Sequence, residues 1–242
     1  MVLDISLDFV VEITLILILL FVLSQLLHLF DLKGSIVAVI VGGIVSFTGG
    51  LDWLILLIVF AAVSQIATKI GFKKKLENHQ QEGKRGERKV SNVVYGGSIG
   101  VVIAILNAAF PYNFPYFVLF AAAFAAITAD TFASEIGLLD TQTYLITNFK
   151  RCETGINGGI SKTGTLASFL GSALIALAFY ILPDGMNNIL FAAIILMAGF
   201  LASQFDSLLG AVYENRGKLS KGGVNLLASL FAVLLSAAVL II

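Results

Sequence analysis

Apolar residues gather into long runs separated by short polar interruptions, and the runs lack the two-residue alternation of a half-buried strand. They cover residues 8–30, 34–47, 51–70, 93–110, 115–137, 164–182, 188–210 and 224–242. A helix that crosses a bilayer needs about 20 apolar residues, within a range of about 17–25. Backbone polar groups inside hydrocarbon must be satisfied within their own segment, so such runs predict helices. The pattern therefore predicts an all-α integral membrane fold of about eight transmembrane helices, a single polytopic domain over residues 1–242. Segment 34–47 is short enough to be tilted or re-entrant, but dropping it would break the charge alternation along the chain.

That alternation sets an orientation. All fifteen Lys and Arg residues fall in the odd-numbered connections or at their edges. Lys33 lies in the first; Lys69, Lys73, Lys74, Lys75, Lys84, Arg85, Arg88 and Lys89 at or in the third. Lys150, Arg151 and Lys162 lie in the fifth, and Arg216, Lys218 and Lys221 in the seventh. Basic residues near span ends are retained in the cytoplasm, so the odd loops are expected inside and both termini outside. Asp4, Asp8 and Glu12 then mark the outer end of the first helix. No basic region precedes the first apolar run, which reads as a retained span rather than a cleaved signal peptide. Composition agrees: 58% hydrophobic residues and a mean hydropathy of +0.98 exclude an ordinary soluble domain. The single cysteine, Cys152, excludes an intrachain disulfide and reads as a loop thiol.

The loops are unequal. Loop 71–92 carries the Lys73–Lys75 run and then Lys84, Arg85, Glu87, Arg88 and Lys89. It reads either as a surface helix against anionic headgroups or as a solvated anchor of topology. Loop 138–163 is longer than a connection requires, and loops that long are usually functional. The outer connections, 48–50, 111–114 and 183–187, are minimal, so chemistry is expected on the cytoplasmic side. A weak internal echo relates helices 5–6 to helices 7–8. Asp130-Thr131 precedes Ser161-Lys162-Thr163-Gly164, and Asp206-Ser207 precedes Ser220-Lys221-Gly222-Gly223.

Asp130, Glu135 and Asp206 are the carboxylates well inside apolar segments. A charge near the bilayer centre costs about 2.5–3.5 kcal/mol on insertion scales. Three explanations compete: Mg²⁺ binding for a phosphate-bearing substrate, a proton or ion path, or structural pairing with Lys or Arg. Asp130 shares a helix face with Ser134 and Thr131 with Glu135, whereas Asp130 and Glu135 diverge. Asp130 and Asp206, from two helices, are the stronger metal pair, since Mg²⁺ takes one or two carboxylates plus phosphate oxygens. Glu135 is a further catalytic candidate, or it holds a basic side chain.

The stretch 155–165 is the densest in glycine and polar residues. Gly158, Gly159, Ser161, Lys162, Thr163, Gly164 and Thr165 suit a phosphate cradle at a helix N-terminus. An N-capped flexible turn is the alternative. It is not a P-loop, because Ser161 precedes Lys162-Thr163 and Ile156 occupies the earlier glycine position. Gln25, His28, Gln65, Asn107 and Gln204 read as interhelical hydrogen-bonding groups. Two histidines argue against a zinc cluster, no Gly-x-Ser-x-Gly motif suggests hydrolysis, and nothing points to nucleic acid.

At these same positions the chain resembles a polytopic membrane family that includes the plant phytyl-phosphate kinases. Ala129-Asp130-Thr131-Phe132-Ala133-Ser134-Glu135-Ile136-Gly137 carries the resemblance, with Leu145-Ile146-Thr147, the turn 158–164 and Asp206-Ser207-Leu208-Leu209-Gly210-Ala211. Lys84-Arg85-Gly86-Glu87-Arg88 with Asn92 resembles that family's basic-loop motif. Phe132 and Cys152-Glu153 depart from the pattern, where a tryptophan and a proline-containing turn are usual. The resemblance implies phosphorylation of an isoprenoid monophosphate by a nucleoside triphosphate, CTP favoured, with Mg²⁺. Asp130 and Asp206 would hold the metal, with Lys162 and Glu135 as further catalytic candidates. The 158–165 turn, with Lys221, Gly222, Gly223 and Asn225, would take the nucleotide. Lys84, Arg85, Arg88 and Asn92 would take the lipid phosphate. Rival readings are an ion-coupled transporter or lipid flippase, and a CTP-dependent nucleotidyltransferase acting on a lipid.

Overall fold

The computed structural model describes residues 6–111 and 114–241. Asp4, part of the 111–114 connection and Ile242 lie outside the described residues. Among the described residues eight helices are long and apolar enough to cross a membrane. They are α1 (Leu7–Leu26), α2 (Leu32–Gly49), α3 (Leu51–Lys69), α5 (Val90–Ala109), α6 (Tyr116–Gly137), α7 (Lys162–Ile181), α8 (Ile189–Leu209) and α9 (Lys221–Ile241). α2 has 18 residues, two more at each end than its apolar run, because Asp31 caps its start by accepting from Gly34 N at 2.6 Å. Eighteen residues rise about 27 Å, close to the hydrocarbon thickness.

α6 is the axis of the bundle. Every residue from Phe117 to Ala129 is buried, as expected of a helix that is apolar all round. It packs against α3, α5, α7, α8 and α9. Its alanines make close approach possible, because small residues are what let helices associate in lipid. At one such close approach, a Cβ added at Gly199 of α8 would lie 2.4 Å from Ser172 Oγ and 2.6 Å from Ala125 Cβ. The half of α6 away from the carboxylates is held by aromatics: Phe120 lies 4.6 Å from Trp53 and 4.8 Å from Phe124 between ring centroids. α1 is peripheral, with only Ile13 and Ser24 buried, and it packs on α2.

Two connections depart from simple loops. Loop 71–92 is not a surface amphipathic helix. Its last three residues begin α5, its own helix, α4 (Phe72–Glu77), has six residues, and residues 78–89 fold back beneath the bundle. There Arg88 N donates to Leu29 O at 3.0 Å and Asp31 N to Arg88 O at 3.1 Å. The reason lies in Lys75, which is fully buried and paired, so the loop is drawn in rather than left on headgroups. Loop 138–163 holds a three-stranded antiparallel sheet, with β1 (Thr143–Leu145) between β2 (Arg151–Cys152) and β3 (Gly159–Ile160). Strands of two or three residues leave no alternating run in the sequence, so periodicity does not reveal them.

The echo between helices 5–6 and 7–8, here α6–α7 and α8–α9, has a local physical basis. Ser161 Oγ accepts from Gly164 N at 3.0 Å, and Ser220 Oγ accepts from Gly223 N at 3.1 Å. Each Ser-Lys-x-Gly segment is an N-cap that starts an outgoing helix.

Candidate functional site

Asp130 and Asp206 meet. One lies near the end of α6 and the other in the last turn of α8, and their side chains come within hydrogen-bonding reach of each other. Two ionised carboxylates cannot hydrogen-bond to each other, so this contact calls for a shared proton or a cation. Lys221, the first residue of α9, is close enough to interact with both. Asn225, one turn further along α9, donates to Asp206 Oδ2 at 3.2 Å when its amide nitrogen faces that way.

One turn after Asp206 the helix loosens into a π-helical turn, Gly210–Glu214. Such turns are frequent at functional sites because they redirect side chains without ending the helix. This one brings Glu214 to the cavity wall and seats the glycine loop. Asn215 Nδ2 donates to Asn157 O at 3.0 Å. Gly158, at φ +79°, lies so close to α8's continuation that a Cβ there would be 2.3 Å from Ala211 Cβ. Only glycine combines that backbone angle with that approach.

The result is a polar cavity of about 460 Å³ between the small sheet, the start of α7 and the ends of α6 and α8. Of the residues assigned to the nucleotide, Gly158, Gly159, Ser161, Gly164, Thr165, Lys221 and Asn225 line it. Lys162, Thr163, Gly222 and Gly223 are not among its lining residues. Thr163 is instead bound to Asp140. That hydrogen bond, with others from the Gln142 and Thr141 backbone, holds the Asp140 carboxyl below the usual carboxylate range. Gly222 abuts the Tyr95 ring. The backbone amides of the turn are largely committed as well: Gly159 N bonds to Ile156 O at 2.9 Å and Thr165 N to Ser161 O at 2.8 Å. Lys221, not Lys162, is the lysine of the echo that reaches the cavity.

A second cavity, of about 200 Å³, opens on the other side of Asp130. It is apolar, bounded by Leu17, Phe21, Val41, Leu54, Phe60 and Phe124 among others from α1, α2, α3 and α6. Its polar end holds Glu82, Arg88, Asn92 and Thr131. Asp130, Ser134, Lys221 and Asn225 line both cavities. Arg88 donates to Thr68 Oγ1 at 3.1 Å, and Asn92 donates to Glu82 Oε1 at 2.9 Å. Burial pushes the Arg88 guanidinium down from its ordinary value, and Glu135, Glu82 and Asp130 around it pull the other way. Lys84 and Arg85 are not brought here. Both are exposed, and Arg85 Nη1 lies 2.8 Å from His28 Nε2.

Glu135 is committed elsewhere too. Its carboxylate receives Lys75 Nζ at 2.6 Å and Thr68 Oγ1 at 3.2 Å. Sequence reasoning missed Lys75, Thr68, Glu82 and Glu214. Lys75 is one of three consecutive lysines, and nothing local distinguishes it from its neighbours. Glu214 was hidden because its reach depends on the π turn.

Among the described residues no group of three His, Cys, Asp or Glu is disposed to hold a metal by itself. The Asp130–Asp206 pair nevertheless fits Mg²⁺ that keeps its remaining positions for phosphate or water oxygens. Fold and site together define an integral membrane protein, with eight candidate spans among the described residues, in which a polar and an apolar chamber share a wall of polar side chains. The chain belongs to the DUF92 family of integral membrane proteins, which it matches over residues 15–233. It is 36% identical over 201 residues to an uncharacterized membrane protein of Methanocaldococcus jannaschii, covering 83% of this chain and 81% of that one. Protein PGR of Arabidopsis thaliana is 29% identical over 210 residues, 77% of this chain and 73% of that protein. Protein VTE6, chloroplastic, of the same plant is 29% identical over 207 residues, 82% of this chain and 61% of that protein. No solved structure matches the chain.

Proposed function

We propose that the protein is a membrane kinase that transfers a phosphoryl group from a nucleoside triphosphate, CTP favoured, to an isoprenoid monophosphate. The observation that carries this reading is the shared wall: Asp130, Ser134, Lys221 and Asn225 border both the polar and the apolar chamber. A triphosphate in the first and a lipid tail in the second would bring donor and acceptor phosphates together at Asp130. The family resemblance supplies the reaction class.

The transfer balances simply. An oxygen of the acceptor phosphomonoester forms a bond to the donor's γ-phosphorus. The bond from that phosphorus to the bridging oxygen of the β-phosphate breaks, leaving a nucleoside diphosphate and a lipid diphosphate. The attacking oxygen is already ionised, so no strong general base is required. Catalysis is then positioning and charge neutralisation. Mg²⁺ held by Asp130 and Asp206 would supply most of that neutralisation. Lys221 would offset charge on the donor phosphates, Asn225 would orient Asp206, and Arg88 and Asn92 would receive the acceptor phosphate. The apolar chamber would keep water from competing as acceptor.

Every basic connection lies at the end of the bundle that carries the site, which supports an active site on the cytoplasmic side of a prokaryotic plasma membrane. Product analysis tests the reading. Purified protein in lipid nanodiscs, given γ-labelled CTP, Mg²⁺ and geranylgeranyl or phytyl monophosphate, is expected to yield labelled lipid diphosphate and CDP. Pyrophosphate with a CDP-lipid would instead make it a nucleotidyltransferase. Lipid movement in liposomes without nucleotide consumption would make it a flippase.

A further inference from the structure

Arg88 is held from behind. Its Nη2 donates to Thr68 Oγ1 at 3.1 Å, and its Nη1 lies 3.5 Å from Thr131 Oγ1. Its Nε is enclosed and has no partner. A buried donor without an acceptor is costly, and this one belongs to a side chain that lines the polar end of the apolar chamber. An anion arriving there would complete it.

Thr68 in turn is fixed by a buried ion pair. Its hydroxyl faces Glu135 Oε1 at 3.2 Å, while Lys75 Nζ donates to Thr68 O at 2.7 Å and to Glu135 Oε2 at 2.6 Å. Lys75 is 1% exposed and Glu135 8%. Among the described residues this is the one ion pair within 4.0 Å. Buried ion pairs are poor stabilisers: exchanging them for apolar residues of similar volume is often neutral or better. Stability alone therefore does not account for a lysine drawn from a loop into the bundle. The chain of contacts supplies a reason, since it runs from Lys75 through Glu135 and Thr68 and ends on Arg88.

We propose that Lys75 and Glu135 are a positioning pair that, through Thr68, holds Arg88 ready to receive the phosphate of the lipid acceptor. The inference rests on the kinase reading and deepens it. Lys75 lines neither cavity, and Glu135 borders the apolar chamber with its carboxylate committed to Lys75 and Thr68. Their effect falls on recognition of the acceptor headgroup, and it separates a phosphorylated lipid from the free alcohol.

Lys75→Met alone leaves Glu135 buried and unpaired, so it is expected to fold poorly. The informative variant is Lys75→Met with Glu135→Leu, which removes both charges together. It is expected to melt near the wild type yet to show KM for geranylgeranyl monophosphate raised about tenfold, a loss of about 1.4 kcal/mol. KM for CTP and kcat should be unchanged, the mark of binding lost equally in ground and transition states. In an Arg88→Gln background the same double replacement should add nothing, because contacting residues in one network are not additive. A folded double variant with wild-type acceptor KM overturns the proposal. So does an effect of equal size on CTP, or one that persists in full without Arg88. A wild-type protein that binds the lipid monophosphate but never phosphorylates it would instead sink the kinase reading.

Discussion

Gly158→Ala tests whether the glycine loop is seated on α8 or merely lies near it. The residue sits at φ +79°, and its added Cβ would be 2.3 Å from Ala211 Cβ and 2.8 Å from both Ala211 Cα and Ala211 N. A left-handed backbone costs an L-residue about 1–2 kcal/mol. Forcing a methyl into a packed contact costs about 1–3 kcal/mol more. The sum, about 2–5 kcal/mol, exceeds what the 3.0 Å bond from Asn215 to Asn157 O can offset at about 1 kcal/mol. The loop should therefore lift from the π turn and open the polar cavity, rather than the bundle unfolding. The assay is CTP affinity beside the thermal midpoint, both in detergent. CTP affinity should fall at least about tenfold while the midpoint falls by only a few degrees. Adding Ala211→Gly removes the Cβ–Cβ overlap but not the backbone strain or the other two contacts, so it should restore part of the affinity. Wild-type affinity in Gly158→Ala, or no improvement from Ala211→Gly, would refute the seating of the loop.

Other predictions follow from the same geometry. Gly199→Ala pushes a methyl against Ser172 Oγ and Ala125 Cβ at 2.4 and 2.6 Å, so α8 should be displaced from α6 with about 1–3 kcal/mol lost, read as a lower thermal midpoint. Lys221→Ala should weaken CTP binding ten- to a hundredfold, the value of about 1.5–3 kcal/mol for a charged hydrogen bond, whereas Lys162→Ala, exposed and outside both cavities, should change it less than about threefold. Asp140, whose carboxyl is lowered first by the Thr163 hydroxyl, contributes stability that is present above the ordinary carboxylate pKa of about 4 and lost as pH falls through its lowered value. Asp140→Asn should therefore lower the thermal midpoint slightly at neutral pH and converge with the wild type at acid pH, where the wild type has lost the same contribution, so that the stability–pH curve flattens from its neutral side.

The spans were legible because burial in lipid demands long apolar helices, and that demand is written into single runs. α2 runs two residues past its apolar stretch at each end, and at the start the reason is local: Asp31 caps it and polar Lys33 belongs to its first turn. The pairing of Asp130 with Asp206 was legible from two carboxylates at matched depth in helices of the same direction. What escaped depends on long-range contacts. Lys75 looks like its neighbours until Glu135, 60 positions away, is placed beside it. Lys162 and Lys221 look equivalent in sequence, since both follow a capping serine. They part only in the folded protein, where Lys221 lines both cavities and Lys162 neither. The second chamber has no sequence signature, because it is assembled from apolar side chains of several helices.

The central claim is that Asp130 and Asp206 together carry metal-assisted phosphoryl transfer. Its most direct test is the rate of lipid diphosphate formation across a Mg²⁺ titration, in the wild type and in Asp130→Asn and Asp206→Asn, each shown to retain its thermal midpoint. The account predicts Mg²⁺-dependent turnover in the wild type and a loss of at least about a hundredfold in each variant, the scale of removing one electrostatic stabiliser of transferring charge. Undiminished turnover in both folded variants would contradict it.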